Sequence, residues 1–155
     1  MKRIRILLTI LMFTTTPRLA LCSVDENQIV SRINFFFSVY IHLLNAWADQ
    51  TDKENLDGDP TNDWIKNNSY LTPEFKRAYK KVMSDPELDS NPILDAQDWP
   101  SEPFEAKSVE IKGAHASAKV SSKAFPDHII RVFLVKRGKW LINSINEINN
   151  IGRQP

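Results

Sequence analysis

The chain has 155 residues, of which 20 are basic and 19 acidic, and it contains one cysteine and four glycines. This length suits one domain built around a single hydrophobic core. The balanced charge lacks the basic excess that is typical of nucleic-acid and anionic-membrane binders. So few glycines also leave little room for a phosphate-cradling or dinucleotide-binding loop.

The first 22 residues have the three-part composition of a signal peptide. Basic residues precede an apolar run from Ile6 to Phe13, and Ala20-Leu21-Cys22 offers a cleavage site. The run of about eight residues is shorter than the roughly 20 that a membrane-spanning helix needs. We therefore predict a cleaved signal peptide at 1–22 and a single mature domain at 23–155. Lipid attachment to Cys22 is the alternative, because Leu19 to Cys22 resembles a lipobox.

Removal of this leader changes the charge and the redox chemistry of the chain. The leader holds four of the 20 basic residues and no acid, which leaves 16 basic and 19 acidic residues and a net charge of −3. It also holds Cys22, the only cysteine, so a domain cut after it has neither a thiol nor a disulfide. An exported domain of this size without disulfides fits a bacterial periplasm.

Three stretches have helical patterns. Ser23 and Glu26 match a capping box. Large apolar residues then recur at spacings of three and four, which places them on one face of a long helix: Ile29, Ile33, Phe36, Tyr40, Leu43, Leu44 and Trp47. Arg32 and Asn45 fall away from this face. A short helix is predicted from Thr61 to Asn67.

The third predicted helix begins at Thr72-Pro73-Glu74 and ends at Asp85-Pro86. Threonine is a suitable N-cap and proline suits the first helical position. The helix is amphipathic, and we interpret its basic residues as a solvated face: Lys76, Arg77, Lys80 and Lys81.

An acidic segment from Asp49 to Asp63 separates the first two helices. The register excludes a helix-loop-helix calcium site, since Lys53 falls at the first ligand position and Trp64 at the bidentate glutamate position. We predict instead a loop whose acids steer the domain toward a basic partner protein. Its candidate binding residues are Asp52, Asp57 and Asp59.

After Phe104 the apolar period changes to two, and four runs joined by short turns predict an antiparallel meander. The third run, His128 to Lys136, is apolar on both faces apart from Arg131, as expected of a central strand. Arg131 is a candidate binding residue if it points inward toward a carboxylate or an anionic ligand. Otherwise its charge lies in solvent at the sheet edge. Helices followed by such a sheet predict an α+β fold.

The order of a long helix, shorter helices and a curved four-stranded antiparallel sheet resembles the cone of the nuclear-transport-factor-2-like superfamily. Three strings point further: Tyr70-Leu71-Thr72-Pro73, Leu94-Asp95-Ala96-Gln97-Asp98-Trp99 and Gly138-Lys139-Trp140-Leu141-Ile142. Over roughly Asp25 to Ile148 the chain resembles the secreted bacterial family called domain of unknown function 3828. That family has no established activity, so the resemblance implies a fold and an exported location but no catalytic residue.

Asp95 and Asp98, beside Trp99, are the best candidates for catalytic carboxylates, because two neighbouring acids can share a proton. The stronger interpretation is structural: both acids accept backbone hydrogen bonds in a turn that Trp99 holds against the core. Trp140 is also assigned a structural role. The three histidines lack ligand spacing, so no metal site is predicted.

The sequence thus predicts an exported, non-catalytic binding protein that needs no cofactor and whose partner is another periplasmic protein. The most specific version of this prediction is immunity to, or inhibition of, a toxin that acts in the periplasm. Nucleic acid binding and stable membrane insertion of the mature domain are not expected. Two alternatives stay open: a carrier or sensor that holds a small ligand in the cone pocket, and an enzyme that uses Asp95 or Asp98.

Overall fold

The computed structural model describes residues 24–51, 59–146 and 148–149. Within them three helices precede four strands: α1 (Val24–Thr51), α2 (Pro60–Asn67), α3 (Pro73–Met83), β1 (Glu105–Lys112), β2 (His115–Ser121), β3 (Ile130–Arg137) and β4 (Lys139–Ile145). The predicted α+β class is confirmed. The predicted leader, 1–22, lies outside the described residues.

Helix α1 supplies one side of the hydrophobic core. Of the predicted apolar stripe, five members are buried, namely Ile29, Ile33, Phe36, Tyr40 and Leu44, whereas Leu43 and Trp47 are half-buried. Phe37 and Ile41 are buried as well, so the buried face is wider than the stripe. Because α1 packs against both β1 and α2, it needs apolar residues over this wider arc.

The segment Val24–Asp49 of α1 is long and apolar enough to span a membrane, with a mean hydropathy of 1.2 over its most apolar window. It lies near the N-terminus, which is compatible with a signal sequence. Its buried residues nevertheless belong to the same core cluster as those of the sheet. In this domain α1 is therefore the central helix.

The two shorter helices begin where the sequence predicts, within one residue. The carboxylate of Asp59 accepts a hydrogen bond from Thr61 N (2.8 Å) at the start of α2. The hydroxyl of Thr72 accepts one from Phe75 N (3.1 Å) at the start of α3. Each cap is followed by a proline, Pro60 or Pro73, which has no N–H to leave unsatisfied at the first helical position.

The four strands pair antiparallel in the order β1-β2-β3-β4, which confirms the predicted meander. The sheet is open, because β1 and β4 form its two edges. In β3 the residues Ile130, Val132 and Leu134 are buried while Arg131 is exposed, so alternate side chains leave the helix-facing side. Positive φ at Gly138 (72°) permits the tight turn between β3 and β4.

The connector between α3 and β1 is organised by Asn91. Its Oδ1 accepts hydrogen bonds from the backbone N–H groups of Ile93 and Leu94, each at 3.1 Å. Its Nδ2 donates to the hydroxyl of Tyr40 at 2.9 Å. These bonds fix the turn that buries Ile93 and Leu94 completely, and they attach the connector to α1.

We expect the two structural tryptophans to differ in their contribution to the free energy of unfolding. Trp140 is fully buried, so Trp140→Ala removes a whole core side chain and is expected to cost about 3 to 5 kcal/mol. Trp99 is only half-buried, so Trp99→Ala is expected to cost about 2 kcal/mol from lost area and one hydrogen bond. Urea unfolding followed by circular dichroism measures both. Equal losses would contradict the difference in burial.

Candidate functional site

The predicted acidic binding residues do not form a described site. Asp52 and Asp57 lie outside the described residues. Asp59 is half-buried and is the N-cap of α2, where its carboxylate satisfies a backbone N–H. The residue is therefore explained by helix capping, and the following Pro60 was the sequence signal for that role.

Arg131 lies on the face of the sheet that points away from the helices, because its neighbours Ile130 and Val132 are buried. It does not point toward a cone interior. Nor is it at a sheet edge, since β3 is an inner strand. Lys119 is its cross-strand partner on β2, and both residues line a shallow depression of about 250 Å³.

Asp95 and Asp98 are both exposed. Asp95 adopts a positive φ of 51° in a turn whose side-chain acceptor is Asn91 rather than either acid. Within the described part of the chain, no hydrogen bond orients either carboxylate toward a shared position. Trp99 Nε1 donates to Asn45 Oδ1 on α1 at 3.0 Å, which gives that tryptophan a specific structural contact.

Four residues that the sequence analysis did not group together form a cationic and aromatic surface: Arg32, Phe35, Tyr70 and Lys139. We call it the Arg32–Tyr70 surface. The guanidinium carbon of Arg32 lies 4.2 Å from the centroid of the Tyr70 ring, and Lys139 Nζ lies 5.5 Å from it. The ring of Phe35 meets that of Tyr70 edge-on, with centroids 6.1 Å apart.

The backbone holds Tyr70 in place from both sides. Its N–H donates to Asn68 Oδ1 at 2.8 Å, and its carbonyl accepts from Ile142 N at 2.8 Å. The next residue, Leu71, is buried and forms a parallel bridge with Ile142. The loop between α2 and α3 is therefore attached to β4, and the Tyr70 ring has a fixed position beside α1.

Arg32 is half-buried, although the helical pattern predicted that it falls away from the apolar face. One Nη1–H group donates to the backbone carbonyl of Trp140. Burial lowers the pKa of the Arg32 guanidinium from its ordinary value, because desolvation disfavours the charged form. Among the described residues no carboxylate forms an ion pair with Arg32, and its described polar contacts are the Tyr70 ring and the Trp140 carbonyl.

The Arg32–Tyr70 surface borders an open groove of about 500 Å³. Phe35 is 53% exposed and Val24, at the start of α1, is 76% exposed. The polar groups along the groove are carboxamides and a hydroxyl from the same helix: Asn27, Gln28 and Ser31. The groove therefore offers hydrogen-bond donors and apolar area side by side.

An ion pair between Asp25 and Lys136 joins the first turn of α1 to β3. Asp25 accepts hydrogen bonds from Lys136 Nζ (2.8 Å) and from the indole Nε1 of Trp140 (3.0 Å). It thereby accepts the hydrogen bond from the indole nitrogen of Trp140, whose side chain is fully buried. The backbone carbonyl of Trp140 accepts the hydrogen bond from Arg32. The first turn of α1 and the start of β4 are joined through these contacts.

The groups of the Arg32–Tyr70 surface can form hydrogen bonds, ion pairs and apolar contacts. A guanidinium has five N–H donors in a planar fork and recognises carboxylates with two parallel bonds. The surface contributes no carboxylate, thiol or imidazole to abstract or donate a proton. Among the described residues there is also no group of three or more His, Cys, Asp or Glu side chains that could hold a metal ion.

A scan against protein-family models and searches of curated proteins and of solved structures find no match to this chain. The resemblance to the nuclear-transport-factor-2-like cone and to domain of unknown function 3828 therefore stays a prediction. The sequence signal for this surface is the large apolar Phe35, three positions after Arg32 and next to the polar Asn27, Gln28 and Ser31, although it does not show that Tyr70 covers Arg32.

We expect Asp25 to make the stability of the domain depend on pH in the acidic range. The hydrogen bond from Lys136, followed by that from Trp140, lowers the pKa of Asp25. A lowered pKa means that the stabilisation is fully present above the unfolded value of about 4 and is lost as the pH falls through the folded value. Asp25→Asn should therefore be less stable than the wild type at pH 7, and the difference should shrink as the pH falls below about 4.

The control for this experiment is Asp98→Asn, since Asp98 is exposed and has no side-chain hydrogen bond within the described residues. Thermal melts of the three proteins from pH 3 to pH 7 give the comparison. A constant difference between Asp25→Asn and the wild type over this range would show that the Asp25 contacts do not depend on its charge.

Proposed function

We propose that this chain is an exported, non-catalytic binding protein and that a partner protein docks on the Arg32–Tyr70 surface. The observation that carries the proposal is the half-buried Arg32, which lies over Tyr70 without a carboxylate partner among the described residues. Such a charge has already lost part of its hydration, so a carboxylate supplied by a partner gains more there than at a fully solvated arginine.

The composition of the surface supports a protein partner. Arginine and tyrosine are among the residue types that contribute most binding energy in protein interfaces, and phenylalanine is enriched there. The exposed ring of Phe35 and the aliphatic Val24 add apolar area next to the cationic groups. A complementary partner presents a carboxylate toward Arg32 and an apolar side chain toward Phe35.

The most specific version of this proposal is immunity to, or inhibition of, a toxin that acts in the periplasm. An antidote of this kind needs export and a rigid docking surface but no catalytic group. The carrier alternative has less support, because the space between α1 and the sheet is filled by buried rings such as Phe36, Phe37, Phe104 and Trp140. The enzyme alternative has less support because Asp95 and Asp98 are exposed and not oriented by other described residues.

We expect export with cleavage close to Cys22. The basic, apolar and small-residue segments at the N-terminus motivate this proposal. N-terminal sequencing of periplasmic material should start near Ser23 or Val24. A full-length chain in the membrane fraction, or a lipid-modified Cys22 found by mass spectrometry, would contradict it.

The docking surface is tested with two phenylalanines of similar exposure. Phe35 is 53% exposed on the Arg32–Tyr70 surface, and Phe125 is 46% exposed in the loop between β2 and β3. A photo-crosslinking phenylalanine analogue is placed at each position in turn, and the exported proteins are irradiated in intact cells. We expect a discrete protein adduct from position 35 and none of the same mass from position 125.

The adduct identifies the partner, whose dissociation constant is then measured with purified proteins by calorimetry. Phe35→Ser and Arg32→Gln are each expected to weaken binding by about tenfold or more, because central interface residues contribute at least about 1.4 kcal/mol. Phe125→Ser should leave the affinity unchanged. Melting temperatures separate lost binding from lost folding, and equal effects of Phe35→Ser and Phe125→Ser would refute the proposed surface.

A further inference from the structure

The groove between α2 and α3 combines an apolar floor with a cationic rim, and it has a volume of about 530 Å³. Ile65 and Tyr79 form the buried part of the floor, with 1% and 3% of their surface exposed, and half-buried Met83 extends it. Four cationic residues and one acid, Asp63, line the groove. The cations are Lys66, Lys76, Arg77 and Lys80.

The positive charge of this rim is only partly offset by two nearby acids, Asp63 in the groove and Glu74, which interacts electrostatically with Arg77. None of the four cations forms an ion pair with another described residue. Lys76 Nζ donates to the carbonyl oxygen of Lys66 at 2.9 Å, which directs its charge to the C-terminal end of α2. Glu74, an acid on α3 itself, is paired with Arg137 at 3.1 Å.

Hydrogen bonds on both sides of the groove fix its shape. The hydroxyls of Thr61 on α2 and Tyr79 on α3 lie 3.4 Å apart. Thr72, which caps α3, also donates from its hydroxyl to Asn143 Oδ1 at 2.9 Å. The two helices are thus attached to each other and to the sheet, so a ligand meets a preformed groove and does not have to order it.

We propose that the α2–α3 groove binds an acidic segment of a partner protein, with an apolar side chain of that segment inserted between the two helices. Charge complementarity to the four rim cations selects the acidic residues, and the recessed floor selects the apolar one. The site is distinct from the Arg32–Tyr70 surface and does not depend on it.

The shape of the groove favours a peptide over the other anions that lysines attract. A membrane-binding surface projects apolar side chains into the lipid, whereas Ile65 and Tyr79 are recessed. A single-strand nucleic acid site offers exposed rings on which bases stack, whereas the aromatic residue of this groove, Tyr79, is 3% exposed.

The test begins with a random-peptide phage library selected on the purified protein, from which one enriched peptide is synthesised with a fluorescent label. Its dissociation constant is measured by anisotropy for the wild type and for two charge-reversed pairs. Arg77→Glu with Lys80→Glu alters the groove rim. Lys119→Glu with Arg131→Glu is the matched control, because it makes the same change of net charge on the far face of the sheet.

We expect the enriched peptides to combine Asp or Glu with a large apolar residue. The groove pair should bind the labelled peptide about tenfold more weakly, whereas the control pair should stay within about twofold of the wild type. Phe35→Ser should not affect this binding, which separates the groove from the Arg32–Tyr70 surface. Circular dichroism melts of both pairs confirm that these exposed substitutions leave the fold intact.

Three outcomes would overturn the proposal. In the first, the enriched peptides lack acidic residues. In the second, both charge-reversed pairs weaken binding equally, which indicates non-specific attraction. In the third, no acidic peptide is enriched, while phosphatidylglycerol vesicles or a single-stranded oligonucleotide bind the wild type and lose affinity for the groove pair. That result would assign the rim to lipid or nucleic acid phosphates instead.

Discussion

The contacts of Trp140 are the constraint on which the rest of the structure depends. A fully buried indole must find an acceptor for its N–H group, and Asp25 in the first turn of α1 provides it. The backbone carbonyl of the same residue accepts a hydrogen bond from Arg32, two turns further along α1. Two polar contacts with one residue thus attach the first turns of α1 to the start of β4. One of them holds the Arg32 side chain beside Tyr70, within the cationic and aromatic surface.

The loop between α2 and α3 is hydrogen-bonded to β4 and so links this strand to the two shorter helices. Ile142 N donates to the carbonyl of Tyr70, and Thr72 N donates to the carbonyl of Ile142. This short parallel pairing places Tyr70 on one side of the loop, beside Arg32. On the other side it places Thr72 where it caps α3 and so positions the basic residues of that helix. The same three loop residues therefore hold Tyr70 in the first surface and the start of α3 beside the second.

Local chemistry allowed most of the fold to be predicted, whereas the candidate surfaces depend on long-range packing. The change of apolar period after Phe104 and the Thr72-Pro73 cap identify their elements because each signal acts within a few residues. The contact between Arg32 and Tyr70 joins positions on separate elements, and no pattern around Arg32 shows that a ring will cover it. The same limit explains Arg131: periodicity places it on a strand but does not say which face is buried. Asp59 is the opposite case: the adjacent Pro60 indicates helix capping, whereas the residue was assigned to partner binding as part of the acidic segment.

The net charge and the described surface predict different kinds of partner. A chain cleaved after Cys22 has a net charge of −3, which predicts a basic partner. However, Lys66, Lys76, Arg77 and Lys80 line the α2–α3 groove, and Arg32 and Lys139 belong to the Arg32–Tyr70 surface. At physiological salt the Debye length is about 8 Å, so a partner at the groove experiences mainly the nearest charges and little of the molecular sum. At long range an acidic partner then experiences a weak or slightly repulsive force, and the local cations attract it only at close approach. Such an arrangement increases the lifetime and specificity of a complex more than its rate of formation.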